Sequence, residues 1–139
     1  MDVQCKEFNQ RENISGALTF IESDRDVPFT IRRVYYLYNV KDDARRGFHA
    51  HKALQQYLIC VHGSCKVLLD DGSVKKEVLL NNPNEGLYVG PSTWREMYDF
   101  TDGAVLLVLA SEYYDETDYI RDYDSFLKYV REIDTEEIG

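Results

Sequence analysis

Two histidines, His49 and His51, are separated by a single residue in the stretch RGFHAHKALQQYLICVHG, residues 46–63. Because alternate residues of a β-strand point to the same face, a strand here would place both imidazole rings side by side and Ala50 on the opposite face. Such a pair can contribute to a metal site, transfer protons near neutral pH, or pack in a core. Its position next to Arg46 favours a functional site over packing.

A metal site needs more ligands than these two histidines, and the sequence offers no suitable partner. Gln55, four residues after His51, is an amide, and His62 stands alone further along. In the segment GLYVGPSTWREM, the position where another histidine would be useful holds Arg95, whose permanent charge repels a cation. We therefore expect no metal and no other cofactor, and a metal-dependent dioxygenase is disfavoured.

Histidines without a metal can remove a proton from carbon beside a carbonyl and return one elsewhere, provided that the enolate is stabilised. Arg33 and Tyr35 share one face of the predicted strand IRRVYYLYNV, although the pattern does not decide which face of that strand is buried. A planar guanidinium on that face suits a diphosphate. Proton transfer on an anionic carbonyl compound is therefore chemically coherent.

Charge and composition limit the partners of the chain. Its 139 residues include 25 acidic and 16 basic side chains, a net charge of −9 that disfavours nucleic acid and anionic membranes. The segment MDVQCKEFNQ has no basic region followed by an apolar run, and no stretch is apolar enough to cross a bilayer. The odd number of cysteines, 3, argues against a disulfide framework. We expect a cytoplasmic protein.

The elements that must position these residues are mainly short β-strands. Runs rich in β-branched and aromatic residues, separated by turn residues, begin at residue 17: ALTFIE, FTIRRVYYLYNV, QQYLICVHG, CKVLLDDG, KKEVLLN, GLYVG, REMYDF and AVLLVLASEYY. The Asp71-Gly72 pair predicts a type I′ hairpin turn. The number of strands predicts one domain over residues 1–139, an all-β jelly-roll barrel.

A C-terminal amphipathic helix is predicted to pack outside that barrel. Asp122 and Asp124 could cap it, and apolar residues then recur at helical spacing: Tyr123, Phe126, Leu127, Val130 and Ile133. The preceding stretch YYDETDYIRDYDSF is rich in Tyr and Asp. We interpret it as a hydrogen-bonded connection between strand and helix rather than as catalytic machinery, since its carboxylates would be poor neighbours for a diphosphate.

Four motifs occur in order along the chain: PFTIRRVYYLYNV (28–40), RGFHAHKALQQYLICVHGSCKVLLDDG (46–72), EGLYVGPSTWREMYDF (85–100) and VLLVLASEYYDETDYIRDYDSF (105–126). Together they resemble the cupin-fold dTDP-4-keto-6-deoxyglucose 3,4-ketoisomerases over essentially the whole chain. The resemblance implies a cupin barrel, or double-stranded β-helix, that converts dTDP-4-keto-6-deoxyglucose to dTDP-3-keto-6-deoxyglucose without a metal. It also implies a homodimer with exchanged N-terminal strands, and a downstream aminotransferase that makes a 3-amino sugar for lipopolysaccharide or S-layer glycan.

The same resemblance suggests roles for individual residues. With it we assign His51 as the principal base that takes the C3 proton, and His49 as the group that assists or relays the proton to C4. Arg33 and Arg46 fall where diphosphate contacts are expected, and Tyr35 is placed to hydrogen-bond the sugar or a phosphoryl oxygen. Two further phosphate candidates are Lys52 and Arg121.

Two positions bear on which face of C4 receives the proton. Relatives divide between Trp-His-Glu-Met and Trp-Arg-Glu-Met at residues 94–97, and the form with Arg95 resembles the branch that leaves a gluco-configured product. Ser15 departs from the family, whose members usually carry Tyr or Arg before the glycine, and leaves more room near the sugar. The galacto product stays open, as do a nucleotide-sugar 3,5-epimerase and a non-catalytic sugar-nucleotide-binding cupin.

Overall fold

The computed structural model describes residues 1–138, with side chains described through residue 136. The strands in chain order are β1 (Cys5–Glu7), β2 (Asn9–Asn13), β3 (Gly16–Phe20), β4 (Arg33–Leu37), β5 (Arg46–His51), β6 (Gln56–His62), β7 (Cys65–Asp70), β8 (Lys75–Leu80), β9 (Glu85–Val89), β10 (Trp94–Tyr98), β11 (Val105–Ala110) and β12 (Tyr119–Ile120). A short 3₁₀ helix, Glu116–Asp118, precedes β12, and helix α1 (Tyr123–Ile138) follows it. No helix among the described residues is long and apolar enough to span a membrane.

Ten of these strands form two five-stranded sheets, in the orders β1-β9-β6-β11-β4 and β12-β5-β10-β7-β8. The main core cluster draws on both sheets: Leu58 and Leu106 come from the first, and Val67 and Leu69 come from the second. Full burial of each such side chain stabilises the fold by roughly 1.5 to 3 kcal/mol. The sheets therefore pack face to face, and the predicted jelly-roll barrel is confirmed.

Helix α1 covers the outer face of the second sheet, as predicted. Phe126 is completely buried against Ala50 of β5 and Trp94 of β10. At the start of the helix, the Asp122 carboxylate accepts a hydrogen bond from the Ser125 backbone N–H at 3.0 Å, which satisfies an otherwise unpaired donor of the first turn. Packing of α1 therefore covers one face of β5, and the two histidines lie on the opposite face of that strand.

Strand β4 turns Arg33, Tyr35 and Leu37 inward, which decides the question left open by the sequence pattern. These three side chains are partly buried, whereas the alternate side chains Val34 and Tyr36 are 54% and 57% exposed. β4 pairs with β11 at the edge of the first sheet. The inward face of β4 therefore points into the barrel, to which β5 contributes the two histidines.

The Asp71-Gly72 pair joins β7 to β8 as predicted, but the predicted type I′ turn is wrong. The register pairs Asp70 with Lys75, so the loop holds four residues rather than two. Gly72 has a φ of 96°, whereas Asp71 is not among the residues with positive φ. Asp71 Oδ1 instead accepts the backbone N–H groups of Ser73 and Val74, each at 2.8 Å, which supports a wider turn.

Strands β1 and β2 were not predicted from the sequence, whereas β3 falls on the predicted run ALTFIE. Strands β2 and β3 form a separate two-stranded sheet, and every side chain of β2 is exposed. The sequence of β2, NQREN, is polar on both faces, so it has no alternation to reveal a strand. At and beside its tip, Ile14 and Leu18 are 105% and 58% exposed. This hairpin therefore projects from the barrel without a core of its own.

Candidate active site

The two histidines lie side by side at the end of β5, as alternation predicts. Their ring centroids are 5.0 Å apart and the rings are nearly perpendicular, at 86°. Before them, Gly47 has a φ of 95°, and an added Cβ there would lie 2.8 Å from the Arg95 backbone oxygen. Strand β5 therefore lies close to β10 at Gly47. This contact fixes the position of the backbone that leads to His49.

Each histidine is held through its Nδ1 atom. His49 Nδ1 lies 3.0 Å from the Gly47 backbone oxygen, and His51 Nδ1 lies 3.0 Å from Asp118 Oδ2. Because a carbonyl oxygen and a carboxylate only accept hydrogen bonds, both Nδ1 atoms carry the proton. The two Nε2 atoms are buried and have no hydrogen-bond partner among the described residues. Each therefore presents a lone pair that can accept a proton.

The surroundings keep both imidazoles neutral. Burial, followed by the charge of Arg95, lowers the pKa of His49 to about 4. Burial and Arg95 again lower the pKa of His51, to about 2, and His51 is 0% exposed. A neutral imidazole can act as a base, whereas an imidazolium cannot. Both rings are therefore in the form that can accept a proton at neutral pH.

Arg95 lies behind the histidines rather than in the open cavity. It pairs across the strands with His49 and is only 1% exposed. Burial lowers its pKa to about 10, so it is still charged at neutral pH. Its Nη2 donates to the Thr93 backbone oxygen at 3.1 Å, and its Nη1 donates to Gln56 Oε1. Gln56, which was not identified from the sequence, extends this series of hydrogen bonds beyond Arg95.

The amide of Gln56 connects Arg95 to Tyr35. Gln56 Nε2 donates to the Tyr35 hydroxyl oxygen at 2.9 Å. Because that oxygen accepts from Gln56, the Tyr35 proton is available for another acceptor. Burial raises the pKa of Tyr35, so the hydroxyl stays protonated at neutral pH. The Tyr35 hydroxyl can therefore donate a hydrogen bond, and Gln56 links it to the buried cation of Arg95.

Two adjoining cavities meet at the histidine pair. One, of about 580 Å³, is bordered by Arg33, His51 and Tyr119, and the other, of about 300 Å³, by Arg33, Tyr35, Arg46, His49 and Tyr119. Arg33 Nε is buried without a partner among the described residues. The structure thus brings together six residues selected from the sequence: Arg33, Tyr35, Arg46, His49, His51 and Arg95.

Three other selected residues lie less centrally. Lys52 is exposed and lines a separate cavity of about 530 Å³ beneath α1. Arg121 borders both that cavity and the one beside His49, but its guanidinium is paired with Glu116 at 2.6 and 2.9 Å. Ser15 lies at the exposed tip of the β2–β3 hairpin and borders neither the histidine cavities nor the one beneath α1 in this chain.

Asp118 and Tyr119 complete the site and were missed from the sequence. The Tyr119 ring centroid lies 5.1 Å from that of His49 and 4.3 Å from that of His51. Both residues belong to the stretch interpreted as a connection, and Tyr119 pairs with His51 between β12 and β5. That pairing joins residues far apart in the chain, and no local spacing signals it. The connection is hydrogen-bonded as expected, but it also contacts the histidines.

The groups considered as additional metal ligands are engaged elsewhere. Tyr88 donates its hydroxyl to Gln55 Oε1 at 2.8 Å, and His62 Nδ1 lies 2.9 Å from the Gly103 backbone oxygen. Within residues 1–138, no group of three or more His, Cys, Asp or Glu side chains is arranged to hold a metal ion. Metal independence stays a prediction.

The chain is similar over its length to proteins of known activity. Residues 1–131 match the family model described as "FdtA: WxcM-like, C-terminal". A TDP-4-oxo-6-deoxy-α-D-glucose-3,4-oxoisomerase from Aneurinibacillus thermoaerophilus is 54% identical over 139 residues, which are 100% of both chains. Both matches include the strands of the barrel and the residues of the candidate site.

Solved structures give the same result. A His-to-Asn mutant of the 3,4-ketoisomerase QdtA from Thermoanaerobacterium thermosaccharolyticum, in complex with TDP-4-keto-6-deoxyglucose, is similar at a TM-score of 0.92 and 51% identity over 94% of each chain. A double mutant of QdtA in complex with TDP, with a tyrosine changed to arginine and an arginine to histidine, has a TM-score of 0.91 at 51% identity over 94% of each chain.

Proposed function

This chain belongs to the FdtA family, and from that membership we infer that it is a sugar-nucleotide 3,4-ketoisomerase acting on TDP-4-keto-6-deoxyglucose. It converts the 4-keto sugar to its 3-keto isomer. The observation that carries this function is the pair of neutral histidines with unpartnered Nε2 atoms, which border two adjoining cavities that are both lined by Arg33. Proton removal and proton return both need such atoms within reach of one sugar ring.

The chemistry requires one proton to leave C3 and one to reach C4. His51 Nε2 takes the C3 proton, the C3 electron pair forms a C3–C4 double bond, and negative charge moves onto the C4 oxygen. The C3 hydroxyl proton passes to the C4 oxygen, which becomes the C4 hydroxyl and leaves the negative charge on the C3 oxygen. The C3 ketone then forms as the electrons of the double bond take up a proton at C4, which His49 relays from His51 so that both rings end neutral. Tyr35 donates a hydrogen bond to the charged oxygen, with Arg95 supporting it through Gln56.

Arg33 and Arg46 bind the diphosphate in this proposal. Both border the cavity beside His49, and Arg33 Nε has no partner among the described residues. Arg121 ranks below them, because it must exchange Glu116 for a phosphate. Lys52 ranks lower still, since it lines the cavity beneath α1 instead. Cations with unsatisfied donors are the groups that a diphosphate would engage first.

The gluco configuration at C4 is the product that we favour. The support is Arg95 itself, whose buried charge faces His49 across the strands and helps to keep that imidazole neutral. A histidine at this position would remove a permanent charge and add a titratable group beside the C4 proton. The residue type at position 95 therefore bears directly on how His49 handles its proton.

A homodimer with exchanged N-terminal strands is the assembly that we propose. The β2–β3 hairpin pairs with neither large sheet and exposes Ile14 and Leu18. Insertion into a partner would bury these apolar side chains, and it would bring Ser15 towards the partner's sugar site. We further propose one domain over residues 1–139, a cytoplasmic location, and a following aminotransferase that places an amino group at C3 for a surface glycan.

The test is incubation of the protein with TDP-4-keto-6-deoxyglucose, a 3-aminotransferase and an amino donor. We expect a 3-amino sugar nucleotide, with gluco configuration at C4 by NMR. The same reaction in D₂O separates this activity from 3,5-epimerisation, because a ketoisomerase leaves the C5 proton in place. The Aneurinibacillus relative serves as a positive control. If that enzyme forms product and this protein forms none, the proposed function is wrong.

A further inference from the structure

The 3₁₀ helix before β12 places the Asp118 carboxylate against the Nδ1 edge of His51, and both residues border the 580 Å³ cavity. Asp118 Oδ2 lies 3.0 Å from His51 Nδ1, and Oδ1 accepts the Ala53 backbone N–H at 2.8 Å. The backbone oxygen of Asp118 also accepts the Lys52 N–H at 3.0 Å. Both carboxylate oxygens are thus engaged, and three contacts tie this residue to the segment containing His51. The carboxylate has little freedom to move.

This contact decides which ring nitrogen of His51 can act as a base. A carboxylate offers no proton, so His51 Nδ1 must carry the hydrogen and Nε2 must carry the lone pair. Nε2 is buried and unpartnered among the described residues, and His51 borders the 580 Å³ cavity. If the proton moved to Nε2, the ring would present a donor to the substrate and could not accept the C3 proton.

The contact also bears on the charge that forms during the reaction. The groups whose charges act on His51 include Arg95, Arg33, Arg121 and His49, and all four disfavour a positive ring. When His51 takes a proton, its ring becomes a buried cation among other cations. The carboxylate of Asp118 lies in direct contact with that ring and offsets the charge.

We propose that Asp118 is a positioning residue for the isomerisation, which holds His51 in the Nδ1-protonated form and stabilises the ring after it has taken the C3 proton. The inference rests on the proposed function, since it assigns a role within that reaction. Asp118 itself need not touch the sugar. Its effect reaches the substrate through His51.

Asp118→Asn tests this role because an amide cannot keep both contacts. If its oxygen accepts from Ala53, its NH₂ faces His51 Nδ1 and drives the ring proton to Nε2. If the amide is reversed, its NH₂ opposes the Ala53 N–H. We expect kcat to fall by about 10² to 10⁴-fold while KM changes by less than about threefold.

Asp70→Asn is the matched control. Asp70 is 1% exposed, and it also accepts one backbone N–H, from Gly72 at 2.8 Å, and one side-chain donor, the Tyr123 hydroxyl at 2.6 Å. It lies on β7 and borders neither of the cavities at the histidines. We expect this variant to lose stability but to keep kcat within about threefold of the wild-type value.

A spectroscopic measurement tests the positioning without turnover. The ¹⁵N chemical shifts of the His51 ring report which nitrogen is protonated, and we expect the Nδ1–H form in the wild-type protein and the Nε2–H form in Asp118→Asn. An Nε2–H ring in the wild-type protein would overturn the proposal even if the variant did not fold. So would a kcat loss below tenfold, or an equal loss in Asp70→Asn. A wild-type protein without ketoisomerase activity would instead refute the proposed function and leave the ring measurement to decide the positioning.

Discussion

The two histidines occupy one strand face, yet their surroundings differ. His51 is fully buried and contacts a carboxylate, whereas His49 is partly exposed and contacts the backbone oxygen of Gly47. A carboxylate stabilises a protonated ring far more than a neutral carbonyl does. Adjacent residues of the same type can therefore take different shares of one reaction. The carboxylate contact supports His51 as the base, even though burial lowers the pKa of His51, to about 2, further than that of His49, to about 4.

The largest effect should follow from His51→Asn. An asparagine keeps a polar side chain of similar shape but offers no basic nitrogen, so we expect kcat to fall by about 10³-fold or more. Exchange of the C3 proton in D₂O, followed by NMR of the substrate, should stop as well. Continued exchange at C3 would show that another group is the base and would contradict the assignment of proton removal to His51.

His49→Asn should separate the two half-reactions. If His49 delivers the proton to C4, product formation should fall by about 10²-fold while His51 still exchanges the C3 proton with solvent. Recovered substrate from D₂O would then carry deuterium at C3 despite little product. Loss of C3 exchange in this variant, with exchange retained in His51→Asn, would assign the base to His49 instead.

Tyr35→Phe should have a smaller effect, because it removes one hydrogen-bond donor and leaves both histidines intact. We expect kcat to fall by about 10 to 10²-fold with KM little changed. Tyr36→Phe is the control, since Tyr36 lies on the outer face of the same strand and is 57% exposed. Equal losses in both variants would argue against a role for Tyr35 at the reacting oxygen.

The smallest expected effect is on the pH dependence of the free energy of unfolding. The pKa values of His49 and His51 are lowered to about 4 and about 2, from 6.5, so the unfolded chain binds more protons than the folded one below pH 6.5. Stability should therefore fall as pH decreases, by about 1 kcal/mol per histidine between pH 6 and 5. Urea unfolding at several pH values measures this slope.

Each asparagine variant should flatten that slope by a similar amount down to about pH 4. Below that value His49 is protonated in both states, so only His51 continues to contribute. A slope that is unchanged in both variants would mean that the two rings are not neutral in the folded protein. The two histidines would then differ in contacts but not in ionisation.

The sequence predicts the placement of groups within a strand better than contacts between strands. Alternation correctly put His49 with His51 and Arg33 with Tyr35, because it depends only on local geometry. It could not reveal Asp118, which reaches His51 through the pairing of β5 with β12. Such a contact depends on the fold as a whole, and the acidic stretch around it resembles an ordinary polar connection.

Local signals also failed where a side chain or a partner strand overrides them. Asp71 forms hydrogen bonds to two backbone N–H groups and widens a turn that the Asp-Gly pair predicts to be tight. Strand β2 is polar on both faces and is defined only by its pairing with β3. Arg95 was expected near the histidines and pairs with His49, but its burial and its link to Tyr35 through Gln56 depend on the packed barrel.

Gly47 has a consequence for how the site tolerates change. Its φ of 95° and the 2.8 Å that would separate an added Cβ from the Arg95 backbone leave no room for any side chain. Even a methyl group would push β5 away from β10 at the point where His49 faces Arg95. A position with no functional group is thus as restricted as the histidines, and here steric fit rather than reactivity limits which amino acid the enzyme can use.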